Sequence, residues 1–355
     1  MPTETVASCP ASTEESDAIV KLEEKINWYY SPIDKQVFRQ LMERSDARGF
    51  RQVGLHLGLI VLTGTAAFYA WQQHAWGWMI LALFAHGSVY GFLGGGVAGH
   101  ELTHRTVFKS RFWNDCFAWM SSIMGYGNHV FFRTSHVKHH QLTVYKDLDL
   151  EVVLPAKLTW QSWVYALTIN PMGVYKTIKV NVRRSLGRLD GDWEHRIFPE
   201  SNPNLRRAMF NCSRVVLLTH LVLAAVFIYF HLWVMFLLVT LAPFYAGWLQ
   251  MLCGFPQHAG LQSSVPDFRL SCRTVILHPF PAFLYWQMNY HIEHHMYPAI
   301  PFYNLPKLHE ILKADMPPAP RGFWACWKQL LPVIRRQKTD PNYVFVPQLP
   351  NLKTA

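Results

Sequence analysis

The sequence predicts an all-α integral membrane protein, with four transmembrane helices in two hairpins capped by a cytosolic helical domain. Three observations carry that expectation. Half of the 355 residues are hydrophobic and only 16% are charged, against roughly 25% charged in an average soluble domain. The shortfall is concentrated in Gln52–Gly99 and Val215–Pro266, which contain no Asp, Glu, Lys or Arg. Finally, eight of the 18 histidines fall in three short clusters outside the most apolar segments.

The formal net charge of +10 raises a nucleic-acid partner, and its distribution sets that aside. Seven Lys/Arg lie in residues 1–51, 16 in 100–214 and 10 from 267 onward, with none in the uncharged stretches. There is no RNP-like or zinc-finger pattern. The charge reads as a positive-inside bias with attraction to anionic lipid heads. Both hairpin tips lack Lys and Arg, so the N-terminus, the central region and the C-terminus are all expected on the cytosolic side. The membrane would be the endoplasmic reticulum in a eukaryote and the inner membrane in a bacterium. The six cysteines are scattered and form no CxxC pair, which indicates neither a disulfide framework nor an iron–sulfur cluster.

The polar run at residues 1–25, rich in Ser, Thr and Glu, reads as disordered and lacks the apolar core of a secretory signal. Within the N-terminal segment 1–50, Ser31-Pro32 predicts a cap and first turn for an amphipathic helix carrying Ile33, Val37, Phe38 and Leu41. A membrane domain over 51–315 follows. Its first uncharged stretch holds two spans of about 20 residues at 1.5 Å rise, placed at 53–71 and 76–97 around the turn Gln72-Gln73-His74. The second splits at His231 into 215–230 and 232–251, with Pro243 and Gly247 tolerated inside a bundle. Phe112–Phe132 contains Asn114, Asp115 and Asn128, and reads as an interfacial or domain helix. Thr159–Val180 reads similarly, broken by Pro171. Residues 316–355 form a cytosolic tail.

The clusters are His100-Glu-Leu-Thr-His104, His136-Val-Lys-His139-His140 and His291-Ile-Glu-His294-His295. On a helix, positions i, i+3 and i+4 share one face, so each cluster can aim two or three imidazoles at one point. Imidazole suits iron, zinc, copper and nickel, whereas magnesium and calcium call for oxygen. Eight converging histidines exceed the ligands of one zinc, which points to two metals in the cytosolic cap. Nitrogen ligation beside apolar spans suits a redox metal that activates dioxygen near a lipid-soluble substrate. Two other classes stay open. A membrane metal transporter would place ionisable ligands inside the spans, and these spans carry no acids. A zinc membrane hydrolase would use the HExxH-like run His100–His104, leaving two clusters without a role.

The three clusters resemble the histidine boxes of the membrane fatty acid desaturase and hydroxylase superfamily. The neighbourhoods Gly99-His100-Glu101, Asn289–His295 and Pro301-Phe302-Tyr303-Asn304-Leu305-Pro306 extend the resemblance over roughly residues 50–315. It implies two iron ions, dioxygen as co-substrate, and removal of hydrogen from an unactivated carbon of a fatty acyl chain or related lipophilic substrate. Hydroxylation on the same scaffold is the close alternative. The implied ligands are His100, His104, His136, His139, His140, His291, His294 and His295, with no protein acid, base or nucleophile beyond the metal centre. Family members often carry one more His or Asn ligand before the third box, and His258 in Phe255-Pro256-Gln257-His258-Ala259-Gly260 stands there. Gln257 departs from the acid common in related sequences. The first box spacing is like that of acyl-lipid desaturases, and the third begins with His291 rather than the Gln of front-end desaturases. No His-Pro-Gly-Gly motif is present, so the resemblance implies a separate electron donor, cytochrome b5 or a ferredoxin.

Metal-bound imidazoles usually pass their other N–H to a carboxylate or carbonyl. Glu101, Asp147, Asp149, Asp267 and Glu293 are the candidates. His129 is kept off the ligand list, and His195, His278 and His309 are read as structural.

Overall fold

The computed structural model describes residues 26–94 and 96–350, so the segment read as disordered lies outside the described residues. Among these residues there are three isolated β-bridges and no strand. The helices, in chain order, are α1 (Lys35–Leu41), α2 (Asp46–Gln72), α3 (Trp76–Leu93), α4 (Val97–His104), α5 (Arg111–Gly125), α6 (His129–Leu142), α7 (Trp160–Leu167), α8 (Pro171–Ser185), α9 (Gly191–Ile197), α10 (Pro203–Tyr229), α11 (Trp248–Gly254), α12 (Phe268–Ser271), α13 (Pro279–Leu284), α14 (His291–Met296), α15 (Leu305–Leu312) and α16 (Gly322–Arg336).

Among the described residues, three helical stretches are long and apolar enough to cross a membrane: Asp46–Gln72, Trp76–His104 and Pro203–Tyr229. At 27 residues, the first and last would each reach about 40 Å. Leu55, Val61 and Leu62 on α2, and Leu218, Leu221 and Val222 on α10, are exposed apolar groups, as a lipid-facing surface requires.

The fourth expected span, 232–251, is not one helix. It breaks into a π-helical turn at Phe236–Thr240, a 3-10 turn at Ala242–Phe244, extended Tyr245, and then α11. Pro243 has no N–H to donate and its ring blocks the preceding helical turn, while Ala246 adopts φ +52°, which a right-handed helix cannot contain. The segment nevertheless packs closely on α3, because a Cβ on Gly87 would lie 2.5 Å from the Tyr245 carbonyl.

Local sequence explains the other boundaries. Helix α1 starts later than expected: Asp34 caps it, accepting from the Gln36 and Val37 amides, while Ser31 directs its hydroxyl to Asp315. The Phe112–Phe132 stretch forms two helices, since Tyr126 is left-handed and Asn128 caps α6. Thr159 caps α7 in a capping box with Ser162, and Pro171 opens α8 behind its Asn170 cap. None of the five cysteines in the described residues forms a disulfide.

The largest buried cluster includes Leu93, Leu102, Phe108, Trp286, Ile292, Phe302 and Leu305, and it fixes α4 and α14 against one another. An extended segment, residues 28–31, straps across the same region. Trp28 stacks on Phe268 at 4.2 Å and donates to the Gln141 carbonyl at 2.9 Å. Tyr29 donates to Asp315 at 2.8 Å.

Candidate metal centre

The first cluster lies on α4, the second on α6 and the third on α14. His258 follows the short helix Phe255–Gln257. The structure brings all nine predicted histidines together in two groups. His100, His104, His136, His140 and His294 form one, and His139, His258 and His295 the other; within each group the donor atoms lie within 4.8 Å of one another. His291 joins the smaller group at its edge, with Nε2 at 2.9 Å from His258 Nε2 and 3.1 Å from His295 Nε2. The groups adjoin, because the rings of His140 and His295 stack at 4.3 Å.

The surrounding acceptors fix which ring nitrogen faces inward. His139 Nδ1 donates to Asp149 at 2.7 Å, His136 Nδ1 to Glu151 at 2.6 Å, and His258 Nδ1 to the Ser271 carbonyl at 2.9 Å. A neutral imidazole that gives its Nδ1 proton away keeps a lone pair on Nε2. Glu101 is fully buried, with its carboxylate 3.3 Å from His100 Nδ1 and 3.5 Å from His294 Nδ1. It therefore spans the first and third boxes.

Burial pushes the imidazoles of His136, His140, His291, His294 and His295 well below the ordinary histidine range. It carries His258 down to about 3. Burial also depresses His139, but the hydrogen bond and charge of Asp149, with Glu151, outweigh it and hold that imidazole above its usual value. Most of the set is thus neutral near pH 7, the form that offers lone pairs.

These residues fit a metal centre. His100 Nε2 and His104 Nε2 are buried without a hydrogen-bond partner. His136 Nε2 faces His140 Nε2 at 3.0 Å, and His140 Nε2 faces His294 Nε2 at 3.1 Å. Nitrogens at that separation repel unless a proton or cation lies between them. Nine imidazoles with no thiolate suit iron, zinc, copper or nickel, and they exceed what a single ion takes.

The other sequence candidates divide. Glu293 accepts from Thr274 and contacts His309, each at 2.5 Å, so it braces α14 against α15. Asp267 pairs with Arg269. Asn289 donates to the Val275 carbonyl, and His129 contacts Ser122. Glu151 was missed, as was Thr143, whose hydroxyl meets His295 Nδ1 at 3.1 Å. The proximity of Glu151 to the second box was the one signal for it.

Beside His100 opens a cavity of about 340 Å³, walled by α4, the end of α5, the start of α6 and α8. Tyr126, Phe132 and Val180 supply apolar surface, and Lys176 stands in its wall. Asn181, also in the wall, is 3% exposed and its Oδ1 has no partner.

Residues 74–327 match the model of the fatty acid desaturase family, well over half of the chain. No curated protein gives a significant match. The two histidine groups stand on elements inside the matched region, and the chain belongs to the fatty acid desaturase family.

Proposed function

We propose that this protein is a membrane-bound di-iron oxidoreductase that uses dioxygen and external electrons to desaturate a fatty acyl chain or related lipophilic substrate. The observation that carries this reading is the pairing of two adjoining all-imidazole groups with a largely apolar cavity that reaches one of them. His100, His104, His136, His140 and His294 would hold one iron, and His139, His258, His291 and His295 the other. When bound, the two ions would activate dioxygen, the oxidant for cleaving an unactivated C–H bond, a chemistry no side chain offers.

The chain's own residues do the rest. Asp149, Glu151 and Ser271 hold ring protons on Nδ1 and keep Nε2 nitrogens directed inward. Glu101 contacts Nδ1 of His100 and His294, while His294 Nε2 faces His140. That favours an orienting carboxylate over the base of a hydrolytic zinc site. Phe132 and Val180 in the cavity wall would lie along a lipophilic chain held beside His100. Hydroxylation would use the same binding and the same hydrogen removal, so product structure separates the two outcomes. Electrons would come from cytochrome b5 or a ferredoxin docking on the metal-bearing, cytosolic face.

The test is metal content of detergent-purified protein beside a His139→Ala/His294→Ala variant, followed by dioxygen-dependent lipid product analysis. About two irons per chain, lost in the variant, is the expected result. One zinc and no iron would overturn it.

A further inference from the structure

We propose that Gln257 sets the hydrogen-bonding state of His291, and so decides whether the smaller histidine group offers three nitrogens or four. This rests on the two-metal reading above. Gln257 immediately precedes His258, and its side-chain nitrogen lies 3.1 Å from His291 Nδ1. An amide N–H donates there, which makes Nδ1 the acceptor and leaves the ring proton on Nε2. That proton has a partner, because His258 Nε2 is 2.9 Å away and keeps its lone pair while Nδ1 donates to Ser271. The chain of donors is self-consistent, and in it His291 has no lone pair to give. An ion is then left with His139, His258 and His295, the trio whose donor atoms cluster within 4.8 Å, His258 releasing the His291 N–H as its lone pair turns to the ion.

Half a turn of the Gln257 amide presents Oε1 instead. His291 then donates Nδ1–H to it, and Nε2 becomes a fourth ligand. The backbone need not move, and it is firmly held. The Arg273 amide donates to the Gln257 carbonyl at 2.8 Å. The buried Arg273 guanidinium donates to the carbonyls of Pro256 and Ala259, on either side of Gln257 and His258. Only the side chain is free to choose. Glutamine can both donate and accept, whereas a carboxylate can only accept and a leucine can do neither.

The experiment titrates metal-free protein with Fe(II) under anaerobic conditions, comparing the native chain with Gln257→Leu and Gln257→Glu. Nitrogen coordination is read by X-ray absorption, and the melting midpoint of each metal-free protein checks folding. Removing a group that orients a ligand typically weakens a site 10–100-fold. Gln257→Leu should therefore weaken one of two sites by that factor and leave the other unchanged, at an unaltered melting midpoint. Gln257→Glu, locked as an acceptor, should restore the weakened site with full nitrogen coordination. Equal loading of all three proteins overturns the proposal, as does failure of Gln257→Glu to restore what Gln257→Leu loses. Failure of the native chain to take two ions would instead sink the two-metal reading, and that arm shows it alone.

Discussion

Asp149 accepts a hydrogen bond from His139 at 2.7 Å in a place where neither side chain meets solvent, their exposures being 0% and 2%. The same carboxylate also accepts backbone amides from Val144, Glu151 and Val152. It thus orients the imidazole and folds the turn after the second box at once.

Asp149→Asn should damage both functions. An amide has one accepting oxygen, so one set of N–H donors would face an NH2 group, at a cost of about 1–3 kcal/mol for a buried unsatisfied group. We expect a lower melting midpoint and iron affinity weakened about 10–100-fold, measured by thermal unfolding and metal titration. Unchanged loading would show that Asp149 does not orient a ligand.

Glu151→Gln gives a contrasting case. Glu151 serves His136, in the five-histidine group, and also accepts from Ser135. Its loss should weaken the other site, so each single variant retains about one iron and the Asp149→Asn/Glu151→Gln double variant retains none. Iron counted per chain checks this, and a double variant no worse than either single one would contradict it.

The strap at residues 28–31 depends on Asp315, which receives the hydroxyls of Tyr29 and Ser31 and pairs with Arg269 at 2.6 Å. Asp315→Ala removes one of the two carboxylates that pair with the buried Arg269, leaving Asp267. We expect a loss of about 1–3 kcal/mol and new proteolytic cleavage before residue 35. A variant as resistant as the native chain would show that the strap is held by other contacts.

Gly87 and Gly54 form a matched pair. A Cβ on Gly87 would meet the Tyr245 ring and carbonyl at 2.5 Å, whereas one on Gly54 meets nothing within 4 Å. Gly87→Ala should therefore cost about 1–3 kcal/mol from overpacking, while Gly54→Ala should be neutral or stabilising by up to about 1 kcal/mol, since Ala favours the helix. Melting midpoints in one detergent decide it, and equal effects would refute the packing of the broken segment on α3.

What sequence could and could not reveal follows from the range of each interaction. The histidine spacings and the apolar runs of α2, α3 and α10 are local patterns, and the structure gathers or builds all of them. The break at 232–251 escaped because the stretch is uncharged and mostly apolar; Pro243 was its sequence signal and was read as tolerated, while the left-handed Ala246 has no signature in sequence. Ser31 looked like a cap because Pro32 follows it, but its partner lies 284 residues away. Thr143 escaped for the same reason, its histidine partner lying 152 residues away, whereas Glu151, 15 residues from His136, escaped because an acid beyond the helix end has no periodic signature.

The cavity beside His100 separates substrate binding from metal binding. Val180 lies in its wall on α8, which supplies none of the nine histidines, so Val180→Trp should fill the space without touching a ligand. Iron per chain should stay at the native value while lipid turnover falls at least about tenfold, the effect of about 1.4 kcal/mol lost from transition-state binding. The cavity would not be the substrate site if the variant turned over lipid at the native rate. If it lost iron along with activity, the wall of α8 would instead be part of what holds the centre together. Native iron content with lost turnover is therefore the only result that assigns the cavity to the lipid.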